Sequence, residues 1–264
     1  MPRRLGQHFL NNKSILKNIA DTLEINSGDL VIEIGPGHGE LTRFLIDKGA
    51  AVFAIEKDKK LVTKVKSSDI REKIKLIEGD ALQVIPEIVN ASPLSTSDYK
   101  IIGNIPYYIT GHLLRIIGDL KNKPSKTVLL IQKEVAERIC AKAPHSNLLS
   151  LSVAFWAEPK IIGHVSAKDF SPPPEVESAI LSISTLNKSD IKKIDTDKYY
   201  EFVRKAFKQP RKTLINNLVS AGWEKERAVR MIKSLGLKMD SRPQELSVGA
   251  IKQALLCADN FFVV

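Results

Sequence analysis

Between Asp29 and Gln132, five short runs rich in Val and Ile alternate with longer amphipathic stretches, and this alternation constrains the fold more than any other feature of the chain. The runs are LVIEI from Leu30, AVFAI from Ala51, KIKLI from Lys73, KII from Lys100 and TVLLI from Thr127. Near-continuous β-branched runs suit strands covered on both faces, the situation of parallel strands joined by crossover helices. The stretches between them keep helical spacing: ELTRFLIDKG is closed by Gly49, and ITGHLLRIIGDL sets Ile109, Leu113, Ile116 and Ile117 on one side. The expected fold class is α/β, a mostly parallel sheet flanked by helices, with ligands bound beyond the carboxyl ends of its strands.

One more apolar run, SAILSIS from Ser178, reads as a final strand, and the polar text NKSDIKKIDTD after it has no period of its own. The domain boundary is placed there, giving a first domain over 1–186 and a second over 187–264. Helical stretches near 197–208, 211–221, 224–235 and 247–258, punctuated by Pro210, Gly222, Gly236 and Pro243, make the second domain small and all-helical. No apolar run approaches the roughly 18 residues of a membrane span. The start MPRRLGQHFL lacks the apolar segment of a secretory signal, so a cytoplasmic protein without membrane partners is expected. Two cysteines, Cys140 and Cys257, are too few for a disulfide framework or a zinc site, and both are expected to be reduced, with no metal bound.

Charge is unevenly placed. The chain carries 40 Lys and Arg against 30 Asp and Glu, a net +10, and 187–264 alone holds 16 against 9, an excess of +7. Basic excess confined to one part of a chain marks a polyanionic partner; a solvated basic face is the other reading, and charge alone does not separate them.

The stretch VIEIGPGHGELT ends a strand with Glu33, turns through Gly35, Gly37 and Gly39 and opens a helix. A dinucleotide site would call for G-x-G-x-x-G with pyrophosphate at the helix N-terminus. Here the spacing is G-x-G-x-G, and Glu33 would repel a pyrophosphate while attracting an ammonium group. S-adenosylmethionine, with a cationic amino-acid end, a sulfonium and no phosphate, suits such a loop. Glu56, at the end of the second strand run, is placed to accept from both ribose hydroxyls, and Asp80, after the third, from the adenine amine. Each acid taken singly could be a surface residue or a helix cap.

NIPYY, residues 104 to 108, falls where the fourth strand delivers its loop to the methyl donor. An adenine exocyclic amine is a poor nucleophile because its lone pair is spread into the ring. Two acceptors, one for each N–H, would localise that pair. Asn104 can offer its side-chain oxygen, and Ile105 its carbonyl, because a residue before proline is held extended. Tyr107 supplies a face on which the base can stack.

Together, LGQHFL, EIGPGHGELT, NIPYYIT, FSPPPEVESAI and RKTLINNL resemble the KsgA (RsmA) family, nearly end to end. The resemblance implies a Rossmann-like class I methyltransferase that dimethylates the exocyclic N6 of two adjacent adenines in the 3′-terminal hairpin of small-subunit (16S) ribosomal RNA, with a role in ribosome biogenesis. It implies that 1–186 bind S-adenosylmethionine and catalyse, while helical 187–264 bind RNA. The donor would be held by His8, Leu10, Gly35, Gly37, Glu56, Asp80 and Asn104, and Phe170 would stack on the other face of the base. Arg204, Lys208, Arg211 and Lys212 would form the RNA-binding face if the helix continues past Gln209. The partner would be small-subunit rRNA or its precursor particle, and the enzyme a monomer. Two departures are visible: His8 stands where the family often has asparagine, and the stretch before KTL, usually richer in arginine, here has Pro210 before Arg211, with Ile215 in a frequently basic position. The competing readings are the sister enzymes that dimethylate large-subunit (23S) rRNA, and a non-catalytic RNA-binding assembly factor on the same fold. An oxidoreductase is disfavoured by the loop spacing and Glu33.

Overall fold

The computed structural model describes residues 8–91, 94, 98–187 and 194–256. In chain order the elements are β1 (Phe9–Leu10), α1 (Lys13–Thr22), β2 (Leu30–Ile34), α2 (Glu40–Asp47), β3 (Ala51–Glu56), α3 (Lys59–Lys66), β4 (Ile74–Glu78), α4 (Ala81–Asn90), β5 (Tyr99–Asn104), α5 (Thr110–Asp119) and β6 (Lys126–Gln132). They continue with α6 (Lys133–Cys140), α7 (Leu148–Ala154), β7 (Ala157–Val165), β8 (Phe170–Ser171), β9 (Ser178–Thr185), α8 (Thr196–Ala206), α9 (Leu214–Ser220), α10 (Lys225–Ser234) and α11 (Val248–Leu256). The chain forms two compact units, 1–136 with 159–185, and 137–158 with 186–264.

The first unit is built on a seven-stranded sheet of order β4-β3-β2-β5-β6-β9-β7. β2 through β6 run parallel, as their β-branched runs require, while β9 enters antiparallel to β6. Val31, Ile32, Ile101, Ile102 and Val128–Ile131 are fully buried, so both faces of the central strands are covered. Gly103 has no room for a side chain: a Cβ there would lie 2.7 Å from the Ile34 carbonyl oxygen. Helix starts follow their caps, since Asn12 accepts from the amides of Ser14 and Ile15, and Asp58 from that of Lys60. β1 and β8 form a separate antiparallel ribbon, Phe9 opposite Ser171 and Leu10 opposite Phe170.

The second unit is helical, and it takes in 137–158, a segment that the sequence reading placed with the sheet. Buried polar and aromatic contacts explain this. Tyr199 Oη donates to the Leu151 carbonyl at 2.9 Å, Lys252 Nζ to that of Phe155 at 3.0 Å, and the Phe155 and Tyr199 rings lie 4.4 Å apart. Phe202, Leu214, Leu218, Met231, Ile232 and Ile251 complete its core. The polar stretch at which the boundary between 1–186 and 187–264 was expected includes 188–193, which with Cys257 lie outside the described residues. Among the described residues no helix is long and apolar enough to cross a membrane.

Candidate active site

Parallel register brings four chemistry-bearing positions to one edge of the sheet. Ile34 stands opposite both Ile55 and Gly103, and Glu56 opposite Glu78, so Gly35, Glu56, Asp80 and Asn104 follow neighbouring strand ends. They line one cavity of about 180 Å³ together with His8, Leu10, Gly37 and Tyr107. Gly35, Gly37 and Gly39 have φ of +69°, +61° and +89°, a path that L side chains resist. The loop is pinned underneath, where the Gly35 amide donates to the Ile55 carbonyl at 2.9 Å. It is covered above by β1, since a Cβ at Gly37 would lie 3.3 Å from the Phe9 ring.

Glu56 is only 5% exposed. Its Oε1 accepts from the Asp58 amide at 2.9 Å and its Oε2 from the Gly37 amide at 3.4 Å. Burial raises its pKa, and these backbone donors offset only part of that rise. Asp80 caps α4, Oδ1 accepting from the Leu82 amide at 3.0 Å, and pairs through Oδ2 with Lys57 Nζ at 2.8 Å. Burial pushes its pKa up, but the Lys57 ammonium and the Leu82 amide prevail and hold it below the usual value. Asp80 is thus a helix cap and a cavity residue at once. The donor set fits a ligand without phosphate: three carboxylates, Glu40, Glu56 and Asp80, line the cavity, and Lys57 on its wall is paired with Asp80.

On the β5 side, Asn104 Nδ2 donates to the His8 carbonyl at 2.8 Å. This assigns the amide's orientation and leaves Oδ1 without a partner among the described residues. Ile105 is buried in front of Pro106, and the Tyr107 hydroxyl lies 2.7 Å from Oγ of Ser178 at the start of β9. The His8 ring stacks, offset, on Tyr107 with centroids 6.2 Å apart, and its Nδ1–H donates to the Pro172 carbonyl at 2.8 Å. Tyr108, which the sequence reading gave no role, lines the same cavity and is 70% exposed. The doubled tyrosine of NIPYY was the available signal.

Two expected residues stand apart from the cavity lining. Glu33 is 1% exposed behind the glycine loop, its two oxygens and Thr42 Oγ1 without hydrogen-bond partners of good geometry. Burial pushes its carboxyl up to about 8, with Thr42 opposing weakly and Glu40 and Glu56 adding to the rise. Phe170 is 4% exposed, packed in one apolar cluster with Leu10, Leu16 and Ile180. Its ring offers no open face in this structure because β1 lies against β8.

The helical face expected to run past Gln209 is corrected. α8 ends at Ala206, so only Arg204 of the four basic residues lies on it. Lys208 Nζ donates to the Ser220 carbonyl at 2.8 Å, and Arg211 and Lys212 sit in an exposed turn in which the Lys212 amide donates to the Gln209 carbonyl at 3.0 Å. Pro210 opens that turn and does not interrupt a helix.

Known proteins resemble the chain over nearly its whole length. The ribosomal RNA small subunit methyltransferase A of Mycoplasma capricolum is 36% identical over 249 residues, covering 92% of each chain. That of Fusobacterium nucleatum is 32% identical and covers 93% of each. Among solved structures, a dimethyladenosine transferase from Plasmodium falciparum superposes with a TM-score of 0.80 at 24% identity, covering 97% of this chain and 99% of that one. The 23S rRNA methyltransferase ErmE gives 0.72 at 20%, covering 94% and 98%. At these identities the two structures speak for the fold, which is that of a class I methyltransferase. The family model of ribosomal RNA adenine dimethylases matches residues 2–258, and with relatives above 30% identity over nearly the whole length, the chain belongs to that family.

Proposed function

We propose that the chain uses S-adenosylmethionine to dimethylate the exocyclic N6 of two adjacent adenines in the 3′-terminal hairpin of small-subunit ribosomal RNA. The names of its relatives support the substrate, and the cavity supports the donor. In this reading Glu56 accepts from the ribose hydroxyls, Asp80 from the adenine amine, and the backbone of Gly35 and Gly37 lets the amino-acid end approach closely. His8 and Leu10 close the cavity from β1. Glu33, behind the loop, would serve the cationic end of the donor only through the loop itself, because no part of it lines the cavity. When bound, S-adenosylmethionine supplies an electrophilic methyl group on sulfur.

The observation that carries the proposal is the tethered amide of Asn104. With Nδ2 committed to His8, Oδ1 is left to accept one N–H of the target amine, and the Ile105 carbonyl takes the other. Both acceptors push the lone pair of N6 out of the ring and toward the methyl carbon. Tyr107, its hydroxyl anchored to Ser178, holds the extruded base by stacking, which contributes roughly 1–3 kcal/mol. Phe170 would act as second stacking partner only where the β1–β8 ribbon yields its face. The helical unit would grip RNA phosphates through Arg204, Lys208, Arg211 and Lys212. With ribosomal RNA as its substrate, the enzyme would act in the cytoplasm and as a monomer.

The test is single-turnover methylation of unmethylated small ribosomal subunits by Asn104→Ala. Turnover should fall by at least about 100-fold, the scale of losing a positioned group at the reacting atom, with donor affinity changed much less. Near-normal dimethylation would remove the amide from the chemistry and the proposal with it.

A further inference from the structure

The motif RKTLINNL carries two adjacent asparagines, Asn216 and Asn217, and neither is used by the chemistry above. Asn216 is exposed, but Asn217 is fully buried on α9, a position where an amide costs stability unless every polar atom is met. It is met entirely from one place. Oδ1 accepts from the Gln209 amide at 2.6 Å, and Nδ2 donates to the carbonyls of Gln209 at 3.0 Å, Lys212 at 3.3 Å and Thr213 at 3.0 Å. A single side chain therefore clasps both ends of the turn whose tip is Pro210–Arg211. Within the turn the Lys212 amide closes onto the Gln209 carbonyl, and Pro210 stiffens the first central position. The products of this clasp are two exposed cations, Arg211 and Lys212, on a turn hydrogen-bonded at both ends.

We infer that Asn217 is a positioning residue that holds the 209–213 turn as a pre-formed projection for the phosphodiester backbone of RNA. The inference rests on the reading of Arg211 and Lys212 as RNA contacts and adds how they are aimed. Phosphate contacts fix register and orientation without reading sequence. A rigid turn presents such contacts in one geometry. A flexible turn would give the same charge without the registration, and would add an ordering cost to binding.

The test combines two substitutions with a measurement on the unaltered protein. In the parent, Asn217→Ala should weaken binding to unmethylated small ribosomal subunits about tenfold and lower the log–log salt slope by about 1 to 2, as lost phosphate contacts do. In a background of Arg211→Gln with Lys212→Gln, the same change should cost nothing further. Equal losses in both backgrounds would show that Asn217 acts elsewhere. If the double substitution weakens binding and Asn217→Ala does not, the positioning role alone is lost. If the double substitution itself leaves affinity and slope unchanged, the RNA surface has been misread and the inference goes with it. Should Asn217→Ala not fold, amide hydrogen exchange of the unaltered protein decides. Gln209 and Lys212 should be protected without RNA, and exchange at the rate of an unstructured chain until RNA is added would overturn a pre-formed turn.

Discussion

Glu33 shows how much one side chain can say about conditions. Its folded pKa of about 8 lies above the ordinary 4.5, so between those values the folded chain keeps a proton that the unfolded chain has released. Folding stability must then fall as pH rises through that window, by at most about 1.4 kcal/mol per pH unit, and level off above it. Glu33→Gln keeps the shape and removes the titration. Its melting temperature should gain on the parent progressively from about pH 5 to pH 8; parallel melting curves for the two proteins would show that the carboxyl is not held neutral by burial. Asn104 and Asn217 make the complementary point. Each is an amide tied to backbone, Asn104 through its nitrogen and Asn217 through both its oxygen and its nitrogen, and in each the tie determines what the rest of the molecule can present.

At the level of elements, β1 and the glycine loop behave as one device. Gly37 is left-handed and faces the Phe9 ring, so Gly37→Ala meets both a backbone strain of about 1–2 kcal/mol and a contact that lifts β1. Calorimetry should show donor affinity reduced at least severalfold while the variant still melts cooperatively; unchanged affinity would mean that β1 does not shape the cavity. The sheet was legible in sequence because each of its inner strands is a Val- and Ile-rich run, and the site because the residues ending those runs are acids, glycine and an amide. The edge strand β7 was not, since Pro159, Lys160 and His164 interrupt its apolar pattern. Nor was the β1–β8 ribbon, two residues on each side, whose pairing joins Leu10 to Phe170 across the length of the first unit's sequence. Phe170 therefore looked open when it is covered. The basic face was misjudged for a similar reason: what shapes the turn after α8 is Asn217, a residue from the next helix.

For the molecule as a whole, the sheet order explains why the two units interleave in sequence. The chain leaves the sheet after β6, contributes 137–158 to the helical unit, and returns through β7 and β9 before the remaining helices are made. β9 lies between β6 and β7, so the last strand made is an interior one. Until it arrives, β6 and β7 each expose an unpaired edge, which is a template for association with other chains. A chain stopped after Glu177 should aggregate although β2 to β6 are all present, and a soluble, monodisperse product by sedimentation would contradict this. The same order bears on how the protein is born. Emerging from the ribosome, the polypeptide passes through a long interval in which the donor-side strands are complete but the sheet is unsealed, and non-local closure of this kind is slow. The Tyr107 anchor, Ser178, belongs to that closing strand. Nascent chains therefore complete the support of Tyr107 only after every other strand of the sheet has been made.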